Sequence, residues 1–142
     1  MVIDMKSILF VCHGNICRSV MAEFILKYLT NNEYRIESRA TSYDEIGNDI
    51  YPNAKEVLSK NNIPFTKHSA GRITIDDYKN FDLIVAFDEY NIENIKRITG
   101  DLSKVIKLND KDVDDPWYTR DFDKAYNEIY SGCVNLLERL DS

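Results

Sequence analysis

The chain has 142 residues, of which 44% are hydrophobic, and a formal net charge of -6 at pH 7. This length and composition fit a single globular domain that spans residues 1–142. The acidic balance argues against nucleic acid and against an anionic membrane as partners, since both bind basic surfaces. Any site for an anion must therefore be built locally, from backbone N–H groups and one or two cations.

Three features of the chain predict a cytoplasmic location. Residues 1–12 contain an aspartate and a lysine and no long apolar run, so they do not resemble an export signal. No stretch approaches the roughly 18 apolar residues that a membrane-spanning helix needs. The cysteines are odd in number in a chain large enough to fold without disulfides, which indicates a reducing compartment; they are Cys12, Cys17 and Cys133.

Apolar runs alternate with helical periodicities along the chain. The segments predicted as strands are residues 6–11, 35–41, 82–87 and 104–108. The segments predicted as helices are residues 19–30, a helix that begins at Pro52, a helix around residues 92–98, and a long helix from residue 121 to the end. Residues 63–66 are predicted to be extended, and residues 109–120 to form an aspartate-rich loop.

This order of elements favours one architecture. Strands that alternate with helices predict a parallel sheet covered by helices on both faces. Ligands of such sheets bind beyond the carboxyl ends of the strands. Residues 12–19 and residues 109–120 each follow a predicted strand. We therefore expect these two segments to meet at one edge of the sheet.

Residues 12–19 have the sequence CHGNICRS and lie between a predicted strand and a predicted helix. Gly14 and Asn15 tolerate positive φ, so successive N–H groups can turn inward and form a nest for an anion. The following helix adds the partial positive charge of its N-terminus. Arg18 adds a planar fork that can hold two phosphate oxygens at once.

The same positive field favours the thiolate form of Cys12, which is the nucleophilic form of a cysteine. Ser19 could donate a hydrogen bond to the sulfur. One short segment would then supply nucleophile, oxyanion cradle and clamp, which are the requirements of phosphoryl transfer. Taken alone, Cys12 could be an inert core cysteine. Zinc is disfavoured because a second cluster of ligands is lacking, so we predict no metal and no cofactor.

The 109–120 loop contains a candidate general acid. Asp115 stands directly before Pro116, and Trp117 beside it could reduce its solvation. Other aspartates crowd the same loop: Asp110, Asp112 and Asp114. Negative charges nearby favour the protonated carboxyl that a general acid needs. Without the cysteine motif this loop would be interpreted as a simple turn; with it, Asp115 is favoured over Asp114 by its place before the proline.

The segment VCHGNICRS resembles the signature of the low-molecular-weight protein tyrosine phosphatases, and residues 115–118, DPWY, resemble the acid-loop motif of that family. The resemblance covers nearly the whole chain. It implies a flavodoxin-like, three-layer α/β/α fold with a central four-stranded parallel sheet. It also implies hydrolysis of phosphotyrosine and small aryl phosphates through a cysteinyl-phosphate, with phosphotyrosine proteins as substrates and inorganic phosphate as product and inhibitor. We expect a monomer and leave weak dimer formation open.

By motif match, the resemblance implies that Cys12 is the nucleophile, Arg18 binds the phosphoryl oxygens, and Asp115 protonates the leaving phenol and then activates water. The residues expected to bind phosphate are His13, Gly14, Asn15, Ile16, Cys17, Arg18 and Ser19. The residues expected to support the loop by hydrogen bonds are Asn15, Ser19, Ser38 and His68. The residues expected to line the substrate cleft are His13, Tyr43, Asp44, Trp117 and Tyr118.

Some positions depart from the family pattern. His13 stands where a small or aliphatic residue is common, and Val20 replaces the usual proline. Asp44 stands where the family often has an aromatic residue, so the second wall of the cleft and the substrate preference stay open. Cys17 could form a reversible disulfide with Cys12 or pack beneath the loop. Cys133 is predicted to be structural.

Three other functions were weighed. Arsenate reduction on this fold needs further cysteines near the middle of the chain, and residues 81–94 contain none. A protein-arginine phosphatase of the same family would have threonine where this chain has Ile16, which favours the tyrosine type. A silent phosphate-binding module would be expected to lack one of the three catalytic candidates, and all three are present: Cys12, Arg18 and Asp115.

Overall fold

The computed structural model of this chain describes residues 6–141, so residues 1–5 of the segment tested for an export signal lie outside the described residues. The strands are β1 Ser7–Cys12, β2 Arg35–Ala40, β3 Leu83–Ala86 and β4 Val105–Lys107. The helices are α1 Arg18–Thr30, α2 Pro52–Lys60, α3 Ile75–Asn80, α4 Glu89–Thr99, α5 Pro116–Thr119 and α6 Phe122–Asp141. Among the residues that the structure describes, no helix has both the length and the apolar character needed to span a membrane.

The strands form one parallel sheet in the order β2-β1-β3-β4, which confirms the predicted four-stranded parallel sheet. Consecutive residues of β1 point to opposite faces. Ile8 and Phe10 pack with residues of α1, α2 and α6, whereas Leu9 and Val11 pack with residues of α3 and α4. Helices therefore cover both faces, and the fold has three layers. This burial on both faces is why β1 is a continuous apolar run instead of an alternating one.

The long helix α6 turns an apolar stripe to the sheet. Its buried residues are Phe122, Ala125, Tyr126, Ile129, Gly132, Cys133 and Leu136, while Leu137 and Leu140 are partly buried. The exposed fraction of Cys133 is 0%, as expected of a structural cysteine. Gly132 lies in the same stripe, where its missing side chain lets α6 approach Leu108 and Asn109 closely.

Two segments need a closer description. Residues 63–66, predicted to be extended, pair with no strand, and the N–H of Ile63 donates to Leu58 O and closes the end of α2. The predicted 109–120 loop contains the short helix α5, which begins at Pro116 because the carboxylate of Asp115 accepts a hydrogen bond from Trp117 N. The proline suits the first helical position, where its missing N–H has no cost.

Three connections meet at the carboxyl edge of the sheet. Residues 12–19 follow β1, residues 41–51 follow β2, and residues 109–120 lie between β4 and α6. The parallel register aligns the last residues of the strands, with Cys12 opposite Ala40, so the connections emerge side by side. The structure thus brings the cysteine segment and the aspartate segment to one edge, as predicted.

Candidate active site

The carbonyl groups of the 12–19 loop are tied to the chain outside it. The hydrogen bonds run from Thr41 N to Cys12 O (2.9 Å), Ser42 N to His13 O (3.1 Å), His68 Nε2 to Asn15 O (2.7 Å) and Tyr51 N to Ile16 O (3.0 Å). In a planar trans peptide the C=O and the following N–H point in opposite directions. The N–H groups that follow these carbonyls therefore face the inside of the loop. This arrangement is a cup of donors suited to a tetrahedral oxyanion.

Asn15 is the residue on which the loop turns. Its backbone has a φ of 60°, in the left-handed region, and its side chain is fully buried. Its Nδ2 donates to Ser19 Oγ at 2.8 Å, and its Oδ1 accepts from Gly71 N at 3.2 Å. Gly14, which could tolerate a positive φ, does not adopt one. Asparagine suffices here because its side-chain bonds stabilise the left-handed conformation.

The sulfur of Cys12 lies under this cup. Its Sγ is 3.0 Å from Ser19 Oγ and accepts a hydrogen bond from Asn15 N at 3.4 Å. Because Ser19 Oγ already accepts a hydrogen bond from Asn15, the hydroxyl proton of Ser19 is free to point at the sulfur. The exposed fraction of Cys12 is only 3%, yet this residue lines the pocket described below.

Arg18 is buried and held in one orientation. Its Nη1 donates to Asp88 Oδ2 at 2.7 Å and to Val113 O at 2.8 Å, and its Nη2 lies 3.5 Å from Asp115 Oδ2. Its Nε is buried without a hydrogen-bond partner. Burial opposes the charge of the guanidinium, but the negative charges of Cys12, Asp115 and Asp88 outweigh it and raise the pKa of Arg18 above its ordinary value.

On the edge of the guanidinium formed by Nε and Nη2, the structure shows only the 3.5 Å contact of Nη2 with Asp115, so an anion can bind along this edge. Asp88, which fixes the opposite side, was not singled out by the sequence reasoning. It also caps α4, where its carboxylate accepts from Asn91 N. The available signal was its position directly after the predicted strand 82–87, at the edge of the sheet where ligands bind.

Asp115 reaches the pocket from the opposite side. One carboxylate oxygen caps α5 and the other faces Arg18 Nη2 at 3.5 Å. Two of the three aspartates expected to crowd it have lysine partners: Asp112 bonds to Lys107 at 2.9 Å, and Asp114 lies 3.8 Å from Lys124. Lysine side chains thus offset part of the negative charge that Asp112 and Asp114 bring to this loop.

The other two cysteines are buried thiols. All three cysteines are free, including Cys12. Burial, with the negative charges of Cys12 and Asp115 added, raises the pKa of the Cys17 thiol far above its ordinary range, and burial alone does the same for Cys133. Both thiols are thus protonated at neutral pH and are poor nucleophiles.

Cys12, Arg18 and Asp115 line one pocket, which has a volume of about 150 Å³. The residues that line it are Cys12, His13, Gly14, Ile16, Cys17, Arg18, Asp44, Glu45, Asp115, Trp117 and Tyr118. Tyr43, expected in the cleft, is not among them. It lies in solvent instead, with the guanidinium of Arg72 4.4 Å above its ring. Glu45 was missed, because only the folded loop shows that its side chain packs on Gly14.

The supporting residues are only partly as expected. Asn15, Ser19 and His68 form one hydrogen-bond network around the loop. Ser38 does not join it, and its hydroxyl donates to Glu23 of α1. The reason is register: Ser38 pairs with Phe10, two residues before Cys12 along the strand, so it lies below the loop. Within residues 6–141, no group of three or more His, Cys, Asp or Glu side chains is placed to hold a metal ion.

Comparison with known proteins gives a consistent result. The family model described as low molecular weight phosphotyrosine protein phosphatase matches residues 7–142. The low-molecular-weight protein-tyrosine-phosphatase PtpA of Staphylococcus aureus is 37% identical over 145 residues, covering 94% of this chain and 93% of that protein. The crystal structure of SP-PTP, a low-molecular-weight protein tyrosine phosphatase from Streptococcus pyogenes, is 40% identical with a TM-score of 0.93, covering 97% of this chain and 95% of that one. That of YfkJ from Bacillus subtilis is 33% identical with a TM-score of 0.91, covering 96% and 95%.

A cysteine at the head of a helix, beneath an anion cup and beside a fixed arginine, defines a cysteine-based phosphatase. The chain belongs to the low-molecular-weight phosphotyrosine protein phosphatase family. It is a hydrolase of the protein-tyrosine-phosphatase class, its family uses a cysteine nucleophile, and Cys12 occupies the nucleophile's position in the phosphate-binding loop. The resemblance to this family and the flavodoxin-like fold are confirmed.

Proposed function

We propose that this protein hydrolyses phosphotyrosine in phosphorylated proteins, and small aryl phosphates, with Cys12, Arg18 and Asp115 as its catalytic residues. The observation that carries the proposal is the convergence of these three groups on one pocket. The Cys12 sulfur lies beneath the inward-facing N–H groups, and Arg18 turns its free edge to the same space. Asp115 stands across from them, 3.5 Å from Arg18.

In the first step, the Cys12 thiolate attacks phosphorus and the bond from phosphorus to the phenolic oxygen breaks. The carboxyl of Asp115 gives its proton to that oxygen, so tyrosine leaves as a neutral phenol. The N–H groups of the 12–19 loop and the Nε and Nη2 atoms of Arg18 stabilise the equatorial oxygens of the transition state. The hydroxyl of Ser19, 3.0 Å from the sulfur, stabilises the thiolate.

In the second step, water attacks phosphorus and the sulfur–phosphorus bond breaks. The carboxylate of Asp115, deprotonated in the first step, takes a proton from this water. Phosphate leaves and the Cys12 thiolate is restored, again stabilised by Ser19. Every group comes from the protein or from water, so the proposal requires no cofactor. Inorganic phosphate, as the product, occupies the same cup and inhibits competitively.

The side wall of the pocket supports a phenyl substrate. Trp117 and Tyr118 line it and have exposed fractions of 41% and 76%, so their rings can pack against an incoming aromatic ring. Ile16 lies in the loop with an apolar side chain that offers no hydrogen bond to a phosphoguanidinium group. We therefore favour phosphotyrosine over phosphoarginine.

The test compares three substrates under identical conditions with a chelator present: a phosphotyrosine peptide, a phosphoarginine-containing protein and arsenate. We expect rapid release of phosphate from the peptide, inhibited by vanadate, and little turnover of the other two. Faster turnover of phosphoarginine would overturn the substrate assignment. A requirement for added metal would overturn the mechanism.

We also infer that the protein is located in the cytoplasm and encounters its phosphotyrosine substrates there. The basis is thiol chemistry, because the mechanism needs Cys12 reduced and Cys17 lies nearby as a free thiol. A reducing compartment keeps both in this state. Fractionation of cells with an antibody to this protein tests the location, and recovery in an oxidising compartment would contradict it.

A further inference from the structure

Two carboxylates stand at the mouth of the pocket, across from the aromatic wall. They belong to Asp44 and Glu45, which we call the acidic rim. The side chain of Asp44 has an exposed fraction of 68%, so it faces whatever surrounds the bound phosphotyrosine. Within the rim, Asp44 stands where the family often has an aromatic residue. What lies beside the substrate on this side is therefore negative charge instead of a ring.

The acidic rim is fixed to the phosphate-binding loop by several contacts. The hydroxyl of Ser42 donates to His13 O at 2.9 Å, in addition to the bond from Ser42 N. The ring atom Nε2 of His13 lies 2.9 Å from Asp44 Oδ2. The side chain of Glu45 packs on Gly14, where an added Cβ would lie 3.5 Å from Glu45 Cγ. The two carboxylates therefore keep a set position relative to the reacting phosphate.

The carboxylates of the rim differ in their partners from the carboxylates deeper in the pocket. Asp88 and Asp115, the acids deeper in the pocket, are paired with Arg18. By contrast, across residues 6–141 neither Asp44 nor Glu45 forms a salt bridge with a lysine or an arginine. Glu45 bonds to an amide, that of Asn48, and Asp44 bonds to the His13 ring. The rim therefore presents to the pocket two carboxylates that no lysine or arginine of the described residues pairs with.

We propose that the acidic rim selects phosphotyrosine segments that carry a lysine or arginine next to the phosphotyrosine. This inference rests on the proposed function and names its substrate class more narrowly. With the phosphorylated ring in the pocket, the adjacent residues of the segment lie over the mouth, within reach of Asp44 and Glu45. A basic side chain there gains attraction, whereas an acidic one adds repulsion to the two carboxylates.

The expected size of the effect follows from the exposure of the rim. Exposed ion pairs are weak, so we expect a preference of about two- to fivefold in kcat/KM for a lysine over a glutamine neighbour. The neighbour does not touch the reacting atoms, so the preference lies in KM and kcat stays nearly constant. Because exposed charges are screened, the preference shrinks as ionic strength rises.

The experiment uses synthetic phosphotyrosine peptides that differ only at the residues flanking phosphotyrosine, which are lysine, glutamine or glutamate. Rates are measured at pH 7.5 for the wild type, Asp44→Asn, Glu45→Gln and the double variant. Asparagine keeps an oxygen for the His13 contact. The matched control is Glu33→Gln, which removes an exposed carboxylate just before β2, at the opposite edge of the sheet.

For the wild type and for Glu33→Gln, we expect kcat/KM to fall from the lysine peptide to the glutamine peptide to the glutamate peptide. For the double variant, we expect the three peptides to have equal kcat/KM values. Hydrolysis of para-nitrophenyl phosphate, which has no flanking residues, reports whether each variant is folded and active. If the wild type shows no preference for the lysine peptide, or if its preference does not change with ionic strength, the inference is overturned while the proposed function stands. Persistence of the preference in the double variant also overturns it. Failure of the wild type to hydrolyse any of the peptides would overturn the proposed function itself.

Discussion

The two loops that meet at the pocket are held in different ways. Main-chain hydrogen bonds to its carbonyls and the buried side chain of Asn15 hold the 12–19 loop. Contacts of side chains hold most of the 109–120 loop, through lysine pairs to Asp112 and Asp114 and the bond from Asn109 Nδ2 to Glu128 O, and one main-chain bond, from Val113 N to Phe87 O at 2.9 Å, anchors its middle. The difference teaches that the anion cup, which depends on the directions of its N–H groups, is built from backbone. The acid, which must only reach a leaving group, stands on a loop that the rest of the chain holds mostly through side chains.

The largest loss of activity is expected from a substitution in the 12–19 loop. Cys12→Ser replaces the nucleophile by a hydroxyl that is not ionised at neutral pH, so kcat should fall by about 10⁴-fold or more. Steady-state hydrolysis of para-nitrophenyl phosphate checks this. The control Cys133→Ala removes a thiol that is buried far from the pocket and should keep kcat nearly unchanged. A Cys12→Ser protein with wild-type rates would remove the basis of the assignment.

The next effect concerns the 109–120 loop and depends on the substrate. Asp115→Asn removes the proton that the leaving phenol needs, and general acids typically contribute about 10²–10⁴-fold. The loss should be larger for phenyl phosphate than for para-nitrophenyl phosphate, whose leaving group is less basic. Asp114→Asn, on the neighbouring exposed carboxylate, is the control and should change both rates little. Equal losses for both substrates would show that Asp115 is not the acid.

A third prediction concerns the packing under the 109–120 loop. A Cβ on Gly132 would lie 2.6 Å from both Leu108 Cγ and Asn109 Oδ1. Although alanine is the better helix former, Gly132→Ala should lower the free energy of unfolding by about 1–3 kcal/mol through overpacking. Urea denaturation measures this. The exposed neighbour offers the control Ser131→Ala, which should be neutral or slightly stabilising. A Gly132→Ala protein as stable as the wild type would mean that α6 does not approach this loop so closely.

The smallest effect is expected on stability, from Asp49, which supports the 12–19 loop through His68. Asp49 accepts hydrogen bonds from Lys55 Nζ, Ile50 N and His68 N, and these bonds lower its pKa from 3.8 to about 2. The lowered pKa means that the folded state favours the carboxylate. Its contribution to stability is complete above the ordinary value of 3.8 and is lost as the pH falls toward 2.

Asp49→Asn should therefore destabilise the protein slightly at pH 6, and the difference from the wild type should shrink between pH 4 and pH 3. Urea denaturation at each pH is the measurement, with Glu33→Gln as the control whose effect stays constant. If the difference in unfolding free energy between the wild type and Asp49→Asn grew as the pH fell, the predicted direction of the pH dependence would be contradicted. Since His68 also holds Asn15 O, a parallel loss of kcat would link Asp49 to the loop.

Much of the fold could be predicted because its signals are local. The continuous apolar run of β1 indicates burial on both faces, and Gly100, which ends α4 with a φ of 80°, follows a helical periodicity. Other features could not be predicted, since they join distant segments. The contact of Ser38 with Glu23 depends on register, and the exposure of Tyr43 depends on how the 41–51 loop packs against Arg72.

The sequence by itself determined the chemistry of the site, because CHGNICRS places a thiol, a left-handed turn at Asn15 and an arginine within one strand-to-helix junction. Only the tertiary structure decided how these groups are positioned and which charged partners they have. It joined Arg18 to Asp88 and Val113, paired the aspartates beside Asp115 with lysines, and set two carboxylates at the mouth of the pocket. The physical reason is that backbone conformation follows from neighbouring residues, whereas charge balance depends on which segments meet in space.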